Sequence, residues 1–353
     1  MSNGDGAFFP SSVGLAPGDV GSEVDRLQEF LRKLGYLRPR DAGGFAPLFA
    51  DAPIPDAEAG TFDVATADAL RNYQLFHGLP PTAELDLATV ADMSSPRCGF
   101  PDQTGLSRFA VQGNKWPTTN LRYGFANFTG DVGQADVQSA IRQACTLWSS
   151  VTPLTFREVA VDEGPEITIQ FASGDHGDGA SNAFDGPSGV LAHAFFPPPN
   201  GGDIAGDMHF DDAETWSVSV PVPAGAFDLI TVAAHELGHA LGLDHSTTSG
   251  ALMFPTYSGP HRFLSPDDVS GIQSIYGART GGTDPTVRRG SRGDAVRRLQ
   301  QALTNLGFNP GPVDGIFGQQ TETAVRGYQS TRGLKADGIV GPQTWGAIHA
   351  DGQ

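Results

Sequence analysis

The spacing of apolar residues changes along the chain. From Leu121 to Phe125, and over Ile167-Thr168-Ile169-Gln170-Phe171, apolar and polar positions alternate, which predicts strands; Leu154-Thr155-Phe156 reads the same way. Between Ala135 and Ser149 the spacing becomes helical, with Ile141, Cys145 and Trp148 on one face. The middle of the chain is therefore expected to be a mixed sheet with a helix packed on it and a second helix, carrying Ala234 to Ser246, beneath. After Ile272 to Gly277 the pattern gives way to Ala278–Pro285, a Gly/Thr-rich stretch with the composition of a flexible linker.

The two ends share an internal repeat. Val24-Asp25-Arg26-Leu27-Gln28 with Leu34-Gly35-Tyr36 returns as Val296-Arg297-Arg298-Leu299-Gln300 with Leu306-Gly307-Phe308. Likewise Ala69 to Gln74 with Gly78-Leu79 returns as Ala324 to Gln329 with Gly333-Leu334. Both copies have helical apolar spacing broken by glycine, so each end is expected to form a small helical bundle; the first carries a Pro/Gly/Ala-rich insertion from about Arg38 to Gly60.

The chemistry concentrates in Ala234-His235-Glu236-Leu237-Gly238-His239-Ala240-Leu241-Gly242-Leu243-Asp244-His245-Ser246. On a helix His235 and His239 project from one face, a turn apart. Gly242 can turn the chain so that His245 swings back to the same point. Three neutral nitrogens, an open fourth position and the adjacent carboxylate of Glu236 make the layout of a catalytic zinc site. Upstream, His176, Asp178, His193 and His209 supply three imidazoles and one carboxylate, enough for a closed, structural zinc site.

Cys98 lies in Pro96-Arg97-Cys98-Gly99-Phe100-Pro101-Asp102. A thiolate is a better zinc ligand than water, so a cysteine held over three histidines would close the open position. The prolines stiffen the segment, and Gly99 allows close backbone approach. With only Cys98 and Cys145 present no disulfide framework is expected, and Cys145 reads as a small buried apolar residue.

The chain has 353 residues, enough for several domains, and a net charge of −18, which argues against nucleic acid as a partner. Residues 285–353 hold eight Lys and Arg against five Asp and Glu, so the last unit is mildly basic and the remainder strongly acidic. No apolar run is long enough to span a membrane, and Met1 to Pro10 shows no secretory leader pattern.

The His235–His245 stretch, with Met253 following in Ala-Leu-Met-Phe-Pro, resembles the metzincin pattern with its Met-turn, and residues 96–102 resemble the cysteine switch of the matrix metalloproteinases. The terminal units resemble peptidoglycan-binding domains, most clearly through Asp314-Gly315-Ile316-Phe317-Gly318, Asp337-Gly338 and Gly341-Pro342-Gln343-Thr344-Trp345. These resemblances imply an α+β zincin domain, a mixed twisted sheet with three helices, flanked by two small all-α peptidoglycan-binding-like bundles. The expected boundaries are 17–95 for the prodomain, 96–108 for the switch and activation segment, 109–278 for the catalytic domain, 279–286 for the linker and 287–350 for the last bundle.

By the same resemblance Cys98 is the inhibitory ligand, and Arg97 pairs with Asp102 to hold its loop. Activation would follow cleavage within Gln103–Arg108, leaving an end near Phe109 that docks on Asp267 or Asp268. A first calcium is implied at Asp185, Asp211 and Glu214 with carbonyls of Gly186, Ser188 and Val190, and a second at Asp207 and Glu166 with carbonyls of Asp203 and Ala205. An extended peptide would pair with Val190–Ala194, and Pro255 to Tyr257 would wall a pocket for an apolar residue after the cleaved bond. Glu236 would be the general base. A secreted, monomeric zinc endopeptidase of extracellular proteins is implied, tethered by its last bundle to a cell-wall or other polysaccharide. A hydrolase of peptidoglycan stem peptides and a wall-binding protein with a vestigial metal site remain as alternatives.

Overall fold

The computed structural model describes residues 10, 12–38, 56–102, 115–179, 182–199, 202–279 and 284–351. The front bundle consists of α1 (Ser22–Lys33), α2 (Val64–Phe76) and α3 (Leu87–Met93). A short strand β1 (Arg97–Cys98) leads out of it. The middle unit follows with β2 (Asn120–Phe125), α4 (Gln134–Val151), β3 (Thr155–Glu158), β4 (Ile167–Ala172), β5 (Val190–Ala194), β6 (Met208–Asp211), β7 (Trp216–Ser217), β8 (Phe227–Asp228), α5 (Leu229–Ala240) and α6 (Pro266–Tyr276). The last bundle comprises α7 (Asp294–Asn305), α8 (Gln319–Thr331) and α9 (Pro342–Asp351).

The large sheet runs in the order β1-β5-β6-β4-β2-β3, and only the β5–β6 pairing is antiparallel. The alternation seen in β4 is realised as buried and half-buried faces. All of β5 is buried, because β1 covers its outer edge in parallel register, Arg97 opposite Val190 and Cys98 opposite Ala192. Helix α4 lies against α5 in a shared core, and the fully buried Trp148 donates from Nε1 to Ala234 O at 2.9 Å. A large apolar side chain and its one hydrogen bond to the main chain thus set α5 against α4.

Four buried glutamines explain the sequence repeat. In each, Nε2 lies within hydrogen-bond distance of oxygens in the following turn and a threonine of the next helix, while Oε1 accepts the main-chain N–H of one turn residue. Gln28 holds Gly60, Gln74 holds Ala83, Gln300 holds Gly315 and Gln329 holds Gly338, at 2.8 to 3.1 Å. Every one of those turn residues has positive φ, including Ala83 at 57°, where the later copy uses Gly338 at 72°. The Leu-Gln and Tyr-Gln pairs of the repeat are therefore the pins of each bundle. Most of the insertion expected from about Arg38 to Gly60, residues 39–55, lies outside the described residues.

The expectation of a freely tethered last bundle is corrected by the packing. Part of the linker, 280–283, lies outside the described residues, but the bundle itself is docked on the middle unit. Helix α9 crosses α4 at Gly346, where an added Cβ would come within 3.1 Å of Ser150 Cβ and 3.3 Å of Thr146 Cγ2. Gln343 Nε2 donates to Leu264 O, and Phe263 packs against the bundle's own core. The composition of the connecting stretch carried no information about this contact, which depends on a missing side chain at Gly346.

Gln329→Leu should destabilise the last bundle by about 2 kcal/mol, since it leaves buried groups such as the Gly338 N–H without a partner. The exposed neighbour change Gln301→Leu should be nearly neutral. Urea unfolding of the two variants, followed in the last bundle, checks the difference.

Candidate metal centre

Helix α5 begins at Asp228, whose side chain accepts from Thr231 N, and it is buried along its whole length. It ends where Gly242 turns at φ 101°, and Leu243 N donates back to Gly238 O at 2.9 Å. Gly238 must be glycine, because a Cβ there would overlap the Met253 sulfur and crowd Trp148. The Met253 turn thus lies directly under the helix that carries the histidines.

The ligand atoms of Cys98, His235, His239 and His245 all lie within 4.8 Å of one another, and all four residues are buried. Nδ1 of His235 is 2.7 Å from Leu252 O, and Nδ1 of His239 is 2.6 Å from Leu243 O. A carbonyl can only accept, so both rings carry their proton on Nδ1 and present a lone pair at Nε2. Those two Nε2 atoms are 3.2 Å apart, and Nε2 of His245 has no partner. Facing lone pairs and an orphaned buried nitrogen repel unless a cation lies between them, so these residues fit a zinc ion. Burial first, then mutual repulsion, lowers the pKa of His235 to about 3 and that of His239 well below the usual value.

Cys98 completes the set. Its thiol lies 3.5 Å from Glu236 Oε2, and Phe100 N donates to Cys98 Sγ at 3.3 Å. Burial pushes the pKa of Glu236 up to about 8, against the pull of the thiol, and leaves Oε1 unpartnered. Gly99 N donates to Ala192 O at 2.8 Å, and any Cβ on Gly99 would come within 2.6 Å of Val190 Cγ1. Phe100 stacks on His239 with centroids 4.2 Å apart, covering the imidazoles from water.

A second cluster gathers His176, Asp178, His193 and His209. Nε2 of His176 and His193 and Nδ1 of His209 lie 3.0, 2.8 and 3.1 Å from Asp178 Oδ2, and Asp178 Oδ1 has no partner. Burial and then the repulsion of His193 lower the pKa of His209 to about 4, and burial likewise lowers that of His193. The set fits a closed four-ligand metal site, one without an open position.

With both clusters in place, comparison with known proteins is decisive. The Matrixin family matches residues 115–277, and the family described as putative peptidoglycan binding domain matches 20–93 and 292–348. The central domain is a matrixin. Among similar curated proteins, matrix metalloproteinase-18 of Xenopus laevis is 46% identical over 222 residues, 62% of this chain and 45% of that protein. Interstitial collagenase of Bos taurus is 46% identical over 222 residues, covering 62% and 44%. Matrix metalloproteinase-16 of Homo sapiens is 42% identical over 268 residues, covering 71% of this chain and 41% of that protein. The chain thus spans less than half the length of these relatives.

In the matrixin domain, Asp185, Asp211 and Glu214 surround the loop that ends in Val190. Asp185 Oδ1 accepts Val190 N, Glu214 Oε1 accepts Ser188 N, and Asp211 Oδ2 is buried without a partner. Burial raises all three pKa values, Glu214 to about 7, and the acids reinforce one another: Asp185 raises Asp211, and both raise Glu214. Positive φ at Gly186, Ser188 and Gly189 bends the loop around them. Such a cluster fits a hard divalent cation. The second calcium set is differently engaged. Glu166 is held by Arg122 at 2.7 Å, Asp207 Oδ1 accepts Thr168 N at 2.9 Å, and Asp203 and Ala205 lie in and just after a single 3-10 turn.

Arg97 and Asp102 form a fully buried ion pair. Asp268 is occupied by the main-chain N–H groups of Leu252, Met253 and Ser265, and Asp267 accepts from Ser246 Oγ at 2.5 Å. The expected cleavage region Gln103–Arg108 and the expected new end near Phe109 lie outside the described residues.

Three front-bundle residues, Tyr36, His77 and Asp92, escaped the sequence reading. Asp102 also accepts from Tyr36 Oη at 3.1 Å, lies 3.1 Å from His77 Nε2, and sits 3.1 Å from His245 Nδ1, off the line of an ideal hydrogen bond. His77 meets Asp92 through Nδ1 at 2.8 Å. Burial pulls the His77 pKa down, but its bonds to Asp102 and Asp92 outweigh that and leave it raised. The repeat held the clue. His77 stands where the later copy has Arg332, and each pairs with an aspartate that also accepts a buried tyrosine hydroxyl.

His209→Ala removes one of four donors, so metal analysis should show about one zinc fewer per chain and a lower melting temperature. Unchanged zinc content would rule out the second cluster as a metal site.

Proposed function

We propose that the protein is a zinc-dependent metalloendopeptidase held latent by its own front segment. The single observation that carries this reading is the meeting of the Cys98 sulfur with three imidazoles beside Glu236. His235, His239 and His245 hold the metal, and their main-chain tethers keep the lone pairs aimed at one point. Zinc, when bound, supplies a Lewis acid that polarises the scissile carbonyl and acidifies water.

Removal of Cys98 frees both the fourth position and Glu236 Oε2. Glu236 then takes a proton from the attacking water and hands it to the departing amine, so no covalent intermediate is needed. Glu236 is fully buried on α5 and its Oε1 has no other partner, which leaves it available for this exchange. The edge of β5 vacated by β1 would receive an extended peptide through main-chain hydrogen bonds, which are indifferent to sequence. The side chain after the cleaved bond would enter the cavity of about 280 Å³ beside Pro255 and Tyr257.

The matrix metalloproteinase relatives support an extracellular setting and bound calcium at Asp185, Asp211 and Glu214. Among the described residues no helix is long and apolar enough to cross a membrane. The two peptidoglycan-binding matches support a polysaccharide ligand for the last bundle, and they favour a second reading in which wall stem peptides are the substrate. Release of stems from purified wall, set against cleavage of denatured protein, separates the two.

In the unprocessed full chain Cys98→Ser should raise peptidase activity by about tenfold or more, because a hydroxyl is a poorer zinc ligand than a thiolate. A precursor that stays silent would remove the switch from this reading. Glu236→Gln should retain zinc while kcat on a quenched peptide falls by roughly 10²–10⁴-fold, and substantial remaining turnover would dismiss Glu236 as the base.

A further inference from the structure

The candidate substrate pocket and the last bundle share a structural wall. The pocket is lined by Leu191, Val232 and Thr231 on the sheet and α5 side, and by Pro255, Tyr257 and His261 on the loop that follows Met253. In the latent chain the near end of that loop is tied to the switch segment. Cys98 N donates to Pro255 O at 2.9 Å, and Tyr257 N donates to Pro96 O at 2.7 Å. Both ties leave with the front segment.

The far end is held by two other bodies. His261 N donates to Thr231 Oγ1 at 2.7 Å, and Arg262 is paired with Asp228, the residue that caps α5 and whose N–H donates to Tyr257 Oη at 3.0 Å. Beyond Arg262 the support comes from the last bundle. Phe263 packs against the core that contains Leu334 and Trp345, Leu264 O accepts from Gln343, and Gly333 sits so close to Arg262 that a Cβ there would be 3.2 Å from Arg262 Cδ. The Phe263 ring also lies against that of His261, centroids 3.8 Å apart and tilted by 35°, so the bundle backs the residue that lines the pocket.

We propose that the C-terminal bundle is a working part of the peptidase: it braces the 255–264 loop through Phe263 and Arg262, and selectivity for the side chain after the cleaved bond depends on it. This rests on the peptidase reading above. Phe263 and Arg262 are positioning residues, since neither touches the reacting atoms. The bundle's partner and the substrate preference are thereby coupled through one loop, because any ligand that shifts α9 on α4 loosens the same wall.

The test uses Gly346→Val, which wedges α9 away from α4 without entering the bundle core or the catalytic centre, with Phe263→Ala as a second way of cutting the brace. Hydrogen exchange of the zinc-loaded full chain is the first readout. Amides of residues 256–264 should exchange roughly tenfold faster in either variant, while those of α5 stay protected. The second readout is cleavage of a peptide pool by the autolytically activated enzyme. Preference among residues after the cut should flatten, changing kcat/KM ratios between large and small side chains by roughly tenfold, with zinc content unchanged. Parental exchange rates in both variants, or parental selectivity despite a loosened loop, would overturn the proposal. A parent chain that binds zinc but cuts nothing would instead sink the peptidase reading and, with it, the selectivity claim, while the exchange data would still decide whether the bundle braces the loop.

Discussion

The centre depends on what stands behind the imidazoles. Two main-chain carbonyls, Leu252 O and Leu243 O, fix the tautomer and the aim of His235 and His239. Leu243 is placed by the turn at Gly242, and Leu252 by Asp268 of α6, whose carboxylate takes the N–H groups of both Leu252 and Met253. Loss of one such acceptor would free a buried ring to rotate, so the last helix of the matrixin domain serves the ligands without touching them. Trp148 and Gly238 complete the support by letting α4, α5 and the Met253 turn approach closely.

The proposed latency draws on the same material as the centre. Strand β1 occupies the sheet edge, Gly99 permits the backbone contact, and Phe100 covers the rings that water would otherwise reach. Asp102 concentrates the rest, gathering Arg97, Tyr36, His77 and His245 around one buried carboxylate whose pKa lies well below the usual range: burial raises it, but the Arg97 charge and the close imidazoles of His245 and His77 outweigh that. A buried pair of this kind contributes little net stability when intact, but losing one partner costs about 3–5 kcal/mol. Front-bundle core, switch loop and His245 all meet at this one side chain, so the proposed withdrawal of the front segment would release them together.

The two bundles show one scaffold put to different ends. Both are pinned by buried glutamines that satisfy a left-handed turn, and both pair a tyrosine hydroxyl with an aspartate. In the later copy the accompanying cation is Arg332, at the seam with the middle unit; in the earlier copy it is His77, turned toward the switch. The same position at the end of the second helix thus pairs with an aspartate in both copies, but faces a different neighbour in each.

Much of the fold was legible from residue spacing. The alternation in β2 and β4, the apolar face of α4 and the Leu-Gln and Tyr-Gln repeats are local patterns, imposed by periods of two and 3.6 residues on chain that must bury one side. The three-histidine set was legible because a helix and one glycine turn suffice to converge it, and the histidine–aspartate cluster because a metal demands donors of a few kinds. What stayed hidden was contact between distant segments: Tyr36 and His77 on Asp102, the Arg122 grip on Glu166, Asp268 beneath Leu252, and the docking of α9 on α4. These depend on which surfaces meet when separately predictable units pack, and on side chains that are absent as much as on those present, as at Gly346. Local chemistry is written in the order of residues, whereas the packing of the last bundle on Arg262 to Leu264 and the fourfold hold on Asp102 exist only once the three units have closed on one another.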